Sequence, residues 1–157
     1  MPAGCAAVRR EGDAMSPEEK EARVARAMEM HKAGFNCAQC VACASADVVG
    51  LDENEAFRLM EGFGGGMGGF SETCGAISGG VATFGYLNSG GLQNPKTKGS
   101  TYKLARRLVK EFGEKNGSTL CGDLKGLTGG PVLRSCDGCI EDALCMTLDI
   151  LDEAQGV

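Results

Sequence analysis

A chain of 157 residues with 43% hydrophobic content suits one domain, and at this length about two-thirds of the unfolded surface can be buried, so folding does not require cross-links. The net charge of -5 leaves no basic stripe to neutralise phosphates, and 5% aromatic residues without tryptophan leave no stacking platform, which excludes nucleic acid as a partner. Nine cysteines beside one histidine exclude mixed Cys/His zinc fingers, and an odd count in a chain this long speaks against a secreted disulfide scaffold.

Residues 1–15 lack periodicity and are expected to form a disordered tail that includes Cys5, followed by one helical domain over 16–157. The arginines Arg9 and Arg10 follow the small-residue run, the reverse of a signal peptide, and no window suits a membrane span; a cytoplasmic protein is expected. Ser16-Pro17-Glu18-Glu19 is a helix start, with a serine cap, proline in the first turn and Glu19 three residues after the cap. That helix runs to Gly34, a second runs from Asn36 to about Val49, and the Asp52/Glu55 pair opens a third.

Gly62–Phe70 holds six glycines in nine residues and is stable neither as helix nor as strand on its own. It leads into a helix from Cys74 to Phe84 or Leu87, then a glycine-rich loop over 88–99. A long amphipathic helix follows over about 100–115, whose Lys103, Arg106, Arg107 and Lys110 form a solvated face. An irregular stretch over 117–131 contains Cys121, and a last helix covers Cys136–Ala154. No segment alternates as a strand would, so the expected fold is an all-α bundle of five or six helices with a glycine-rich loop.

Cys37, Cys74 and Cys136 each follow a capping residue, Asn36, Thr73 and Ser135. A thiol in a first helical turn faces unpaired N–H groups and the positive end of the helix dipole, which favours the thiolate, the form that ligates metals and attacks disulfides. Cys37/Cys40/Cys43 and Cys136/Cys139 recur at three-residue spacing, which keeps their sulfurs near one helix face; Cys43 and Cys145 read as small apolar core residues. Gly75 and Gly79 leave the helix surface beside Cys74 bare. That surface suits either close helix packing or a bulky inorganic group, toward whose sulfides the Gly64, Gly65 and Gly66 N–H groups could be turned. His31 lies late in the first helix, where a helix-terminal surface role is expected rather than a Cys-His nucleophile pair.

NCAQ at 36–39, GFGGGMGG at 62–69, ETCGAISGG at 72–80, Cys121 before a leucine-containing segment and Cys136 opening the last helix resemble the C_GCAxxG_C_C family of redox-active proteins, over about residues 20–152. The resemblance implies a small helical, cysteine-dependent redox or metal-binding domain, related to split-Soret cytochromes that carry haem and an iron–sulfur centre. Its four characteristic cysteines fall on Cys37, Cys74, Cys121 and Cys136. The order at Cys74 is Cys-Gly-Ala rather than the Gly-Cys-Ala of the family label, and no C-x-x-C-H exists to attach c-type haem.

The expectation is an electron-transfer or redox protein, an oxidoreductase if it turns over a substrate, with an iron–sulfur cluster held by Cys37, Cys74, Cys121 and Cys136 and with Cys40 or Cys139 as additional ligands. Gly64, Gly65, Gly66, Gly75 and Gly79 would surround the cluster. The alternatives are a thiol–disulfide oxidoreductase using the C-x-x-C pairs, with no cofactor, and a non-catalytic zinc- or copper-binding protein. The expected partner is a redox protein, and a homodimer is a further expectation.

Overall fold

The structure, a computed structural model, describes residues 13–156. Ser16 caps α1 (Pro17–Lys32) by accepting the Glu19 N–H at 3.1 Å, with Pro17 opening the first turn as the sequence predicts. Just before it, Met15 is already buried, and its N–H reaches Asp152 at 3.1 Å. The tail expected over 1–15, with Cys5 in it, lies otherwise outside the described residues.

α2 (Cys37–Ser45) is the hub. Its sequence, CAQCVACAS, has small or apolar side chains apart from the hydrogen-bonded Gln39, and all nine residues are buried. A helix with no polar face has to be covered on every side, and α1, α3, α4 and α7 cover it. One turn of 3₁₀ helix (Ala46–Val49) continues α2 and stops at Gly50, whose φ of +74° only glycine adopts cheaply. α3 (Glu53–Met60) starts on Asp52, whose carboxylate accepts the Glu55 N–H at 3.0 Å.

The glycine segment forms a 3₁₀ turn (Glu61–Phe63) and a π-type turn (Gly66–Phe70), ahead of α4 (Gly75–Asn88). α4 presses into the bundle through Gly79 and Gly80. A Cβ at Gly79 would lie 2.5 Å from the Ala38 carbonyl oxygen, and one at Gly80 would collide with Thr147 of the last helix. α5 (Lys98–Asn116) folds back along α4, burying Leu108 and Phe112 and ending at Gly117. A four-residue helix, α6 (Cys121–Leu124), interrupts the stretch expected to be irregular. α7 (Cys136–Ala154) has the bounds read from the sequence and inserts Ile140, Leu144, Leu148 and Leu151 into the core beside Phe84. Each such side chain contributes about 1.5–3 kcal/mol on burial.

The described residues contain seven α-helices and no strand, in agreement with the all-α expectation; α6 and the finer turns are what the sequence reading omitted. No helix among them is long and apolar enough to cross a membrane.

Candidate thiol centre

Four chain segments are fixed so that their cysteines meet. At α2, Asn36 and Gln39 form a reciprocal capping box, each side chain accepting the other's N–H at 2.9 Å, which locks the turn that begins with Cys37. The same two side chains hold the neighbouring backbone, Asn36 donating to the Glu61 carbonyl at 2.9 Å and Gln39 to that of Phe57 at 3.1 Å.

Cys74 and Cys121 are aligned by a two-strand bridge too short to count as a sheet. Thr73 pairs antiparallel with Leu120, the Cys74 N–H donates to the Thr119 carbonyl at 2.8 Å, and the Cys121 N–H donates to that of Glu72 at 2.9 Å. Each cysteine therefore leaves the bridge directly into a helix: Cys74 occupies the cap position of α4, one residue later than the sequence placed the cap, and Cys121 is the first residue of α6. At α7, Ser135 accepts the Gly138 N–H at 3.1 Å and fixes the turn carrying Cys136 and Cys139.

The result is a chain of thiols. Cys74 interacts electrostatically with Cys37 and with Cys139. Cys121 feels the charges of both Cys37 and Cys136, and Cys40 those of Cys37 and Cys136. All of these except the half-buried Cys136 are buried, and no disulfide joins any pair among the described residues. Cys40 donates to the Phe35 carbonyl at 3.8 Å, Cys43 to that of Glu53 at 3.6 Å, and Cys145 is half-buried further along α7.

The glycines act mainly by having no side chain. A Cβ at Gly75 would lie 2.5 Å from Cys37 Sγ, and one at Gly66 the same distance from Cys121 Cβ, while Gly64 lies flat on Asn36. Gly65 is left-handed (φ +59°), and its N–H, with that of Ala38, favours the Cys37 thiolate. Gly79 faces the backbone of α2, so the room beside it is filled by Ala38 and Ala42. Met67 and Phe70 also adopt positive φ, 63° and 61°. Side chains bear that conformation at a cost of about 1–3 kcal/mol each, here offset by the clamped loop and by Lys125, whose Nζ lies 5.5 Å from the Phe70 ring centroid.

At Cys37 and Cys74 burial and neighbouring sulfurs outweigh the helix-start effect expected from the sequence. Interaction with Cys74 and then burial hold Cys37 far above the ordinary thiol range, and the Cys139 interaction with burial pushes Cys74 up to about 12, against the opposing Cys37 interaction and the Ala76 N–H. Burial and the neighbouring thiols push Cys40 up to about 12, and burial raises Cys121. Helix dipole and amide contributions of this kind are smaller than the cost of placing charge in a dry site beside other ionisable sulfurs. No three His, Cys, Asp or Glu side chains among the described residues stand ready as an ion cage.

Two features were not read from the sequence. His31 Nδ1 lies 2.6 Å from Asp137 Oδ1, tying the end of α1 to the turn between Cys136 and Cys139. Asp142, with only 2% of its side chain exposed, binds Lys115 at 2.6 Å and Arg134 at 3.0 Å, and burial's upward push on its carboxyl is outweighed by those cations, which hold it below the usual range. Arg134 in turn lies across Gly138, where a Cβ would be 2.6 Å from the guanidinium carbon, and its charge acts on Cys139. An acid three residues after Cys139, on the same helical face, is the one hint the sequence offered.

An uncharacterized protein of Archaeoglobus fulgidus is 29% identical over 147 residues, covering 87% of this chain and 97% of that protein. No solved structure matches the chain. The C_GCAxxG_C_C family, described as "Putative redox-active protein", matches residues 35–150, a span that contains every thiol of the centre and the glycine loop beside it, and the chain belongs to that family.

Proposed function

We propose that this redox-active chain carries an iron–sulfur cluster ligated by Cys37, Cys74, Cys121 and the α7 pair Cys136/Cys139. The observation that carries the reading is that thiols from the starts of α2, α4, α6 and α7 lie within electrostatic reach of one another, Cys74 with Cys37 and Cys139, and Cys121 with Cys37 and Cys136. The donor set fits: it is all sulfur, the Gly65, Ala38 and Ala76 N–H groups favour the anionic form of two of the ligands, and Gly75 and Gly66 keep side chains out of the space beside Cys37 and Cys121. Bound there, a cluster would supply one-electron transfer.

The protein's part is to assemble and deprotonate its ligands. Cys74 at about 12 lies several units above neutral pH, and each unit costs about 1.4 kcal/mol, so ligation has to displace protons against a substantial gradient. A strongly bonded soft metal meets that cost, whereas a weakly held hard cation does not. Burial also keeps water and small oxidants from direct access to Cys37, Cys74, Cys121 and Cys139.

A dithiol–disulfide role is the second reading, favoured by the interaction of Cys74 with two other thiols and by the lack of a ready ion cage among the described residues. Purification without oxygen separates the readings. A broad visible absorption with iron and acid-labile sulfide in equal amounts is the expected result; colourless protein holding zinc, copper or no metal overturns the cluster.

A further inference from the structure

The thiols of the centre are not equally reachable. Cys136 is half-buried whereas Cys37, Cys74, Cys121 and Cys139 are buried, and Cys136 shares the first turn of α7 with Cys139, which interacts with Cys74. We propose that Cys136 is the port through which low-molecular-weight disulfides exchange an electron pair with the buried thiols, by way of Cys139 to Cys74. The inference rests on the thiol-centre reading only for where the buried end lies, and it does not require iron.

The exchange balances at each step. The Cys136 thiolate attacks one sulfur of a disulfide RSSR; a protein–SR bond forms, the S–S bond breaks, and RS⁻ leaves with the proton that Cys136 released. Cys139 then attacks Cys136 Sγ, forming the Cys136–Cys139 disulfide and expelling the second RS⁻, which takes the Cys139 proton. RSSR has gained two electrons to become two RSH, and the protein dithiol has lost two. Attack of Cys74 on Cys139 Sγ finally moves the disulfide inward to Cys74–Cys139 and restores the Cys136 thiol, with no further net oxidation.

Three observations favour this direction. The half-buried Cys136 and the buried Cys139 lie at three-residue spacing in one helical turn, which brings their sulfurs within disulfide reach. Arg134, held by buried Asp142, places a fixed cation over Gly138 between the two sulfurs' positions in sequence, and its charge acts on Cys139. The bond between His31 and Asp137 pins the same turn from α1, so the pair is presented on a held backbone. Arg134 is a positioning residue here, since it does not touch the incoming disulfide.

The test uses the full reduced chain with oxidised glutathione as the probe, quenched by alkylation at intervals and mapped by mass spectrometry. The first mixed disulfide is expected on Cys136, followed by Cys136–Cys139 and then Cys74–Cys139. Cys136→Ser should slow oxidation of Cys139 and Cys74 by roughly tenfold or more, Cys145→Ser should leave it unchanged, and Arg134→Gln, which frees the Gly138 turn, should slow closure of the Cys136–Cys139 disulfide severalfold with Arg134→Lys restoring most of it. A first adduct on Cys121 or Cys145, or oxidation of the buried pair at the wild-type rate in Cys136→Ser, overturns the proposal. Mapping the wild-type adduct decides the matter even if a variant fails to fold, and iron content decides the cluster separately.

Discussion

Cys74 is held on both sides, its N–H by the Thr119 carbonyl and its thiol by its interactions with Cys37 and Cys139, so it is the sulfur whose replacement disconnects the others. Cys74→Ser should lose bound iron while Cys5→Ser, outside the described residues, retains it; equal iron per chain in the two purified variants would sink the single-centre reading. At this scale the sequence was partly readable. The cap residues before Cys37 and Cys136 announced their helix starts, because capping is settled within a few residues. The protonation of the thiols was not readable, since the dipole is a local property and burial beside other sulfurs is not. Nor was the His31–Asp137 pair, whose members lie 106 positions apart.

Between elements, α2 and α4 approach so closely that a side chain at Gly79 would meet the α2 backbone at Ala38 and Ala42. Gly79→Leu should therefore destabilise the fold by about 3 kcal/mol or more through overpacking, despite leucine's advantage of roughly 1 kcal/mol as a helix former. A urea midpoint at or above that of the parent would show that α2 can yield. Helix bounds were legible wherever a cap and a stop coincided, as at Ser16 and across Cys136–Ala154. α6 escaped because four residues give no periodicity, and its start is set instead by the Thr73–Leu120 bridge, which joins segments 47 positions apart in sequence.

For the molecule as a whole, the raised thiols make stability depend on alkali. Cys43 is pushed up to about 11 by burial and Cys40 and Cys74 to about 12, from 9.0 for a free thiol. As pH rises the unfolded chain loses these protons first, so the stability they contribute is complete below pH 9 and is lost between there and about 12. The urea midpoint of the reduced, metal-free chain should fall from pH 8 to pH 10, and less steeply in Cys43→Ala; identical slopes would remove burial of thiols as the cause. The Thr73–Leu120 bridge has a different kind of consequence. α4 and α5 depart from it and return to it, packed on each other with a connecting turn at Gly91–Gln93 whose Leu92 is fully in solvent. That helical hairpin is an appendix closed at its root: insertions, deletions or a grafted reporter at its tip change the outline of the protein without altering the chain path between Cys74 and Cys121 where they meet, so descendants of this fold can drift in length there and keep the same chemistry.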